Sequence, residues 1–385
     1  MIDQPAVKIA HLVWQWLPLT ENWIYHQIVT ARSYCPVVLA YQKVNPELFS
    51  IGTVYSLIDD NSYPGVYYQK FMRKFITGYF PYFKKIIKEQ NIRLLHSHFG
   101  TNGYFTMLLN RDLRLPQVVT FYGYDASSLA KSYRWRQRYQ LLFKEADLFL
   151  VEGGRMKQRL MELGCQENKI VVQHLGVDLT RLHYTTKAER AGGDLNILIA
   201  ASFVEKKGLP YALRAFALVA AKHPKLKLTV IGDGKMRKEL EVLVQKLAIG
   251  PLVKFMGYAT PDKYLQAMAD ADIFLSPSVT AADGDTEGGS PVTLIEAQAL
   301  GTPVVSTFHA DIPEVVIDGQ TGLLSKEKDV AMLANNLEKL VKEPDLRRKM
   351  GYAGRKNIAD NYDLSNQAQK LEKIYASLLQ DRLGG

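Results

Sequence analysis

The sequence predicts an α/β protein made of two doubly wound, Rossmann-like domains. Three observations carry that expectation. Short apolar runs alternate with helix-length amphipathic stretches along the chain. The runs are nearly continuous rather than alternating in and out, as strands of a parallel sheet read when helices cover both faces. The alternation pauses at "TTKAERAGGD" (185–194), which is polar, glycine-containing and free of periodicity. That stretch is the expected linker, with a first domain over 1–184 and a second over 195–363.

In chain order, the first half offers strands at "VKIAHLVW" (7–14), "PVVLAYQ" (36–42), "IRLLHSHF" (92–99), "QVVTFYG" (117–123), "DLFLVEG" (147–153) and "KIVVQHLGV" (169–177). Helical stretches such as "GRMKQRLMELG" (154–164) lie between most of them. The second half repeats the design with "LNILIAASF" (195–203), "LKLTVIGDG" (226–234), "VKFMGYA" (253–259), "DIFLSPS" (272–278) and "TPVVST" (302–307). Met236, Leu240, Leu243 and Leu247 recur at helical spacing between two of these strands, and Thr260-Pro261 is a cap followed by proline. Ligands of such sheets bind beyond the carboxyl ends of the strands, so the cleft between two such domains is the expected site.

Within "DTEGGSPVTLIEAQALGTPVVST" (285–307), Ser290 is a good N-cap and Pro291 suits the first helical position. The helix should stop before Gly301, with Pro303 opening the buried strand Val304-Val305. Glu287 then lies in the loop at the positive end of that helix. Glu296, in its second turn, leans back toward the same end. Two further segments aim at this face. "ASFVEKKGLPYALRAF" (201–216) places Lys207-Gly208 at a helix start, a plausible anion clamp, and "VIGDGK" (230–235) is a strand-end glycine turn. Cations and free amides suit phosphates, while carboxylates accept from hydroxyls; a phosphate–sugar ligand needs both.

Composition narrows the class. Of 385 residues 47 % are hydrophobic, enough for two cores of ordinary size. Cys35 and Cys165 are the only cysteines, which argues against a disulfide framework and fits a reducing cytosol. The start "MIDQPAVKIAHLVWQWLPL" has no basic n-region and is interrupted by His11, Gln15 and tryptophans, so a first strand is expected there rather than a signal peptide. No run of apolar residues is long enough to span a membrane. The net charge of +9 is lopsided: residues 1–190 carry 24 Lys and Arg against 15 Asp and Glu, and the remainder is balanced. The basic residues form no recognisable nucleic-acid-binding motif, so no nucleic-acid partner is expected.

The succession "VEKKGL", "VIGDGK", "VKFMGY", "ADIFLSPS", "EGGSPVTLIEAQALGTPVVST" and "IPEVV" closely resembles the retaining family 4 glycosyltransferases of GT-B fold. The resemblance covers nearly the whole chain. "HSHFG" (96–100), "TFYGYD" (120–125) and "HLGVDL" (174–179) look like that family's acceptor-domain landmarks. "LPLTENWIYHQI" (17–28) is similar to members that build exopolysaccharide or O-antigen-like chains. The resemblance implies transfer of a sugar from a UDP- or GDP-sugar to a glycan or lipid-linked acceptor, without a metal or other cofactor. It implies that "LSNQAQKLEKIYASLLQ" (364–380) begins a C-terminal segment, 364–385, that crosses back to the first domain.

By that similarity Glu296 holds the ribose, Glu287 the hydroxyls of the transferred sugar, and Lys207 the diphosphate. Ser202, Gly232, Gly288, Gly289, Ser290 and Pro291 complete the donor site. Tyr122, His98, Asp125 and Glu21 are the acceptor-side candidates, with Tyr122 counted beside Glu287 and Lys207 as catalytic. The chain departs from the family pattern at three places. The family sets its two glutamates one residue closer together, has an arginine where Ser202 stands, and has a histidine where Tyr122 stands. The alternatives are a nucleotide-sugar 2-epimerase of the same fold and a non-catalytic nucleotide-sugar-binding relative.

Finally, "YYQKFMRKFITGYFPYFKKIIKEQ" (67–90) holds eight aromatic residues and six Lys or Arg against one acid. This composition suits the interface of an anionic membrane. The expected location is the cytoplasm, peripheral at the inner face of the cell membrane.

Overall fold

A computed structural model describes residues 7–18, 21–184 and 194–381. It divides into two compact units, residues 1–176 with 364–385 and residues 177–363. The expected linker, apart from Asp194, lies outside the described residues.

In the first unit, seven strands form one parallel sheet: β1 Lys8–Trp16, β2 Cys35–Lys43, β3 Val54–Ser56, β4 Leu94–His98, β5 Gln117–Thr120, β6 Leu148–Val151 and β7 Ile170–Val172. Their spatial order is β3-β2-β1-β4-β5-β6-β7, so the winding reverses between β1 and β4. The register there sets Leu12 against Ser97 and His11 against His96. One face of β1 and β2 packs Ala10, Leu12, Val37 and Leu39 against Phe83, Ile86 and Ile87 of the helix Pro81–Glu89. Ile9 and Leu94 instead join Leu371 and Tyr375 of the helix Leu364–Asp381. Fully burying a side chain such as Leu371 contributes about 1.5–3 kcal/mol, which explains why the C-terminal helix belongs to this unit.

Strands β8 Asn196–Ala200, β9 Lys227–Ile231, β10 Val253–Gly257, β11 Ile273–Ser276, β12 Val304–Thr307 and β13 Gly322–Ser325 make the second parallel sheet. Its order is β10-β9-β8-β11-β12-β13, with the reversal between β8 and β11. Two apolar clusters cover it, one around Ile197, Ile199, Phe216 and Val305, the other around Leu198, Phe274, Leu294 and Ile358.

One boundary differs from the expectation. Residues 177–184, assigned from sequence to the first domain, belong to the second unit. The Val177 N–H donates to the Tyr362 carbonyl at 2.9 Å, Leu182 enters the core beside Ile358, and Arg355 donates to the Leu182 carbonyl at 2.7 Å. The basic aromatic stretch 67–90 is built from consecutive short segments. An α-helix, Tyr63–Met72, passes into a π-helical turn, Arg73–Thr77, which ends at Gly78 with φ +77°, and a new helix opens at Pro81. Glycine adopts that left-handed conformation at little cost, and proline starts a helix well because the missing N–H would be unpaired there.

Candidate functional site

At the reversal point of the second sheet, the loop after β8 is pressed onto the end of β11. Gly208 has φ +66°, and a Cβ there would lie 1.8 Å from the Pro277 carbonyl oxygen. Only glycine fits that approach. The Val279 N–H donates to the Lys206 carbonyl at 2.8 Å and locks the two loops together. Lys207 Nζ thereby reaches Glu287 Oε2 at 2.7 Å, and Ser278 Oγ donates to Glu287 Oε1 at 2.7 Å. Next to it, Lys206 Nζ binds Asp285 Oδ2 and the Thr286 carbonyl, both at 3.0 Å.

Burial alone would raise the Glu287 carboxyl, whose side chain is 6 % exposed. The Lys207 and Lys206 ammoniums, with the hydrogen bonds from Lys207 and Ser278, outweigh it and hold Glu287 below the ordinary value. Glu287 is therefore an anion with one lone pair on each oxygen still free to accept. Lys207 has three N–H donors, of which one goes to Glu287. The Glu287 backbone N–H donates to His309 Nε2 at 3.1 Å. That nitrogen is then the acceptor, so the proton sits on Nδ1 and is donated to Glu327 Oε1 at 2.7 Å. Glu327 is in turn fixed by the Thr280 N–H at 2.7 Å. A relay of groups from the loops that follow β11, β12 and β13 orients the Glu287 backbone.

The helix that follows is Val292–Ala299, with Pro291 at its cap position (φ −55°, ψ 130°). Ser290, expected to cap, lies one residue too early. Its hydroxyl is buried and has no partner among the described residues. Gly288 has φ +80°, and Gly289 is buried. Gly232 has φ +125° and would place a Cβ 1.9 Å from the Ala201 carbonyl, so the glycine turn after β9 lies against the loop holding Ser202.

Glu296 is half-buried, and Tyr264 Oη–H donates to its Oε2. Burial pushes this carboxyl up to about 7, opposed by the Tyr264 hydrogen bond and by Arg181. The structure thus separates the two glutamates electrostatically: Glu287 is paired with ammoniums, while Glu296 titrates near neutral pH.

In the first unit, His98 Nδ1 lies 2.8 Å from the Tyr122 hydroxyl, and His98 Nε2 lies 3.2 Å from His11 Nδ1. His96 Nδ1 meets the Tyr375 hydroxyl at 2.6 Å and its Nε2 meets Thr120 Oγ1 at 2.7 Å. Desolvation lowers all three histidines, His11 to about 3, so they are neutral. Among the described residues these three could ligate a metal, their ring nitrogens lying within 4.8 Å of one another. Five of the six nitrogens already have the partners just named, an arrangement that orients Tyr122.

Phe99, between β4 and the next helix, adopts φ +71°, a conformation costly for a bulky side chain, and its ring packs 4.6 Å from that of Tyr122. Two further acceptor-side candidates lie in the interior beside Tyr122. His98 is fully buried and touches Tyr122 rather than solvent. Asp125, also fully buried, accepts from the N–H groups of Gly100, Tyr122 and Ala126 at 2.7, 3.0 and 3.1 Å, so it staples the loop. Burial raises it to about 6 against those bonds. Glu21 is half-buried just before the helix Asn22–Thr30, and burial raises it to about 7.

Sequence reasoning missed Ser278, His309, Glu327, Tyr264, His11 and Tyr375. His309 lies two residues beyond the carboxyl end of the buried strand Val304–Thr307, which is the one signal that could have marked it.

Comparison with known proteins agrees with this architecture. The model "Glycosyl transferases group 1" matches residues 184–357, and "Glycosyltransferase Family 4" matches residues 36–181. WcaL of Salmonella typhimurium, named as a colanic acid biosynthesis glycosyltransferase, is 34 % identical over 288 residues, covering 74 % of this chain and 69 % of that protein. The amylovoran biosynthesis glycosyltransferase AmsK of Erwinia amylovora is 33 % identical over 246 residues, covering 63 % of this chain and 60 % of its own length. Among solved structures, Anabaena Alr3699/HepE in complex with UDP and glucose superposes with a TM-score of 0.79 at 17 % identity, covering 96 % of this chain and 100 % of that one.

Proposed function

This chain belongs to the family 4 glycosyltransferases, and we propose that it moves a sugar from a UDP- or GDP-sugar, with retention of anomeric configuration, onto a glycan or lipid-linked acceptor. The names of its relatives support a role in building a surface or exported polysaccharide. The observation that carries the proposal is the Lys207–Glu287 pair held over the reversal point of the second sheet. There the fold keeps a cation and an acceptor anion side by side, the two kinds of group a diphosphate-linked sugar requires.

In this reading two donors of Lys207 meet the diphosphate. The buried Ser290 hydroxyl and the free amides at the start of the helix Val292–Ala299 add further donors. Glu287, fixed as an anion, accepts from hydroxyls of the transferred sugar, and Glu296 accepts from the ribose. As the glycosidic C–O bond breaks, negative charge grows on the leaving diphosphate, where the preorganised cation and amides stabilise it without a metal. The same phosphate takes the proton of the incoming acceptor hydroxyl on the face it leaves, giving retention. Tyr122, positioned by His98, contacts the acceptor. Ser202, in place of an arginine, leaves Lys207 the principal cation.

Peripheral attachment to an anionic membrane surface is part of the proposal. Tyr67, Phe71, Phe75 and Ile76 are more than half exposed beside exposed Lys70 and Lys74. Lys84 and Lys85, expected to contribute, are engaged by Asp112 and Glu89. Among the described residues no helix is long and apolar enough to cross a membrane.

The test is a thermal-shift screen of UDP, GDP and their common sugar conjugates, followed by transfer to an acceptor with labelled sugar. Stabilisation by a nucleotide sugar and acceptor-dependent release of nucleotide are expected. Turnover of the donor to an epimer without acceptor, or retention of nucleotide with no turnover, would overturn the reading.

A further inference from the structure

Between the end of β11 and the helix Val292–Ala299, residues 277–291 form neither helix nor strand. Glu287 sits in that stretch after Gly284, at φ +82°, and directly before Gly288, at φ +80°. Glycine occupies several backbone wells about equally, so the local sequence gives the Thr286–Glu287 peptide no fixed direction. The Cα–Cβ bond of Glu287 turns with that peptide. Whatever fixes the peptide plane also aims the carboxylate.

Two side chains from different loops grip this one peptide unit at opposite edges. Lys206 Nζ, from the turn after β8, donates to the Thr286 carbonyl at 3.0 Å. His309 Nε2, beyond β12, accepts the Glu287 N–H at 3.1 Å. In a planar trans peptide the C=O and the N–H point opposite ways. Held at both, the plane cannot turn; held at one, it swings about that bond.

Each grip is itself anchored. Lys206 Nζ also binds Asp285 Oδ2 at 3.0 Å, and the Lys206 carbonyl accepts from the Val279 N–H at 2.8 Å. His309 is 2 % exposed, and its Nδ1–H donates to Glu327 Oε1 at 2.7 Å. With the proton on Nδ1, Nε2 presents a lone pair, the form in which the ring can take the Glu287 N–H. A carboxylate on one ring nitrogen makes the other more basic and fixes the ring's orientation. The backbone is bent to place this pair: Ala310, next after His309, has φ +45°, and Lys328, next after Glu327, has φ +66°. Left-handed backbone is unfavourable for residues with a Cβ, and it persists where the surrounding structure imposes it, often at functional sites.

The end of β12 reaches the other end of Glu287 as well. The Thr307 hydroxyl donates to the Ser278 carbonyl, and the Ser278 hydroxyl donates to Glu287 Oε1 at 2.7 Å. A buried N–H needs one acceptor, which a backbone carbonyl could supply. A buried imidazole backed by a carboxylate is more than that need requires. What it adds is aim.

We infer that Lys206 and His309 are positioning residues, a two-sided clamp on the Thr286–Glu287 peptide that points Glu287 at the transferred sugar. The clamp sets how well the site tells a nucleotide sugar from the bare nucleotide, and Glu327 acts through His309. This deepens the proposed function, on which it rests for the identity of the ligand.

The experiment has two arms, both on the full chain. Without ligand, amide hydrogen exchange reads the Glu287 N–H. It should exchange slowly in the wild type and at least about tenfold faster in Lys206→Met and in His309→Phe. With ligand, calorimetry compares UDP-glucose with UDP and GDP-mannose with GDP. Each single variant should weaken the conjugate that the wild type binds by about tenfold and leave the bare nucleotide unchanged. The double variant should lose little more than one single variant, because a peptide released at one edge gains little from the grip at the other. His309→Gln, whose amide oxygen reaches the place of Nε2, should bring conjugate affinity back to within about threefold of the wild type. Scanning calorimetry reports that each variant is folded. Losses that multiply in the double variant, equal weakening of nucleotide and conjugate, or no recovery in His309→Gln would overturn the clamp. A wild type that binds neither conjugate strikes the proposed donor instead, and exchange at Glu287 then decides the clamp by itself.

Discussion

Replacing Lys207 by Met removes a cation from a buried pair while keeping the length of the side chain. Glu287 then stays 6 % exposed with Ser278 as its remaining side-chain donor and Lys206 engaged elsewhere. Removing one member of a buried ion pair costs about 3–5 kcal/mol. Lys206 remains nearby and Lys207 is itself 19 % exposed, so the lower end, about 3 kcal/mol, is expected at neutral pH. For a unit of this size that is a fall in Tm of roughly 6–12 °C.

The pH dependence is the sharper readout. In the wild type the folded Glu287 carboxyl is held below its unfolded value. Its stabilisation is therefore present above the ordinary carboxylate range and lost as pH falls through the depressed value. In Lys207→Met burial is no longer outweighed, the folded carboxyl rises above the unfolded one, and Glu287 costs stability once it must ionise. The wild-type-minus-variant difference in Tm should thus be large at pH 7 and shrink toward pH 4, measured by scanning calorimetry in matched ionic strength. A difference equal at both pH values would refute the ion-pair account and leave only lost packing.

Other expectations follow from the same geometry. Glu296, raised to about 7, costs stability above that pH and little below its unfolded value, so Glu296→Gln should raise Tm at pH 8 with the gain gone by pH 4. Calorimetry checks this, and isothermal titration should show Glu296→Ala weakening nucleotide-sugar binding by about 1–3 kcal/mol. Tyr122→Phe leaves His98 Nδ1 without its partner, so a loss of about 1–3 kcal/mol in stability is expected, with slower transfer and unaltered donor affinity. Transfer should survive EDTA; abolition with rescue by Mn²⁺ or Mg²⁺ would show that a metal carries the leaving group. Lys70→Gln/Lys74→Gln should release the protein from anionic vesicles at low salt in co-sedimentation, with donor binding intact.

Read alone, the sequence determined the class of fold, because strands buried on both faces must be apolar along their length. "DIFLSPS" and "TPVVST" were legible as β11 and β12 for that reason. It also singled out Lys207, beside a glycine at a helix start, and Glu287, in a glycine loop, as candidates that converge on one face, but not that the two side chains pair. Periodicity reports the face on which a side chain lies, but neither the register between distant strands nor the partner beyond.

The meeting of His11 with His98 depends on the pairing of β1 with β4, and that of His96 with Tyr375 spans 279 residues of chain. The cap at Pro291 rather than Ser290, and the π-turn that runs from Arg73 to Thr77 before Gly78, were likewise outside what local pattern could give. Packing alone brought Arg73 onto Phe105 and left its charge without a carboxylate among the described residues. Only the tertiary structure decides such meetings, because burial changes what a charge costs and burial is a property of the whole fold.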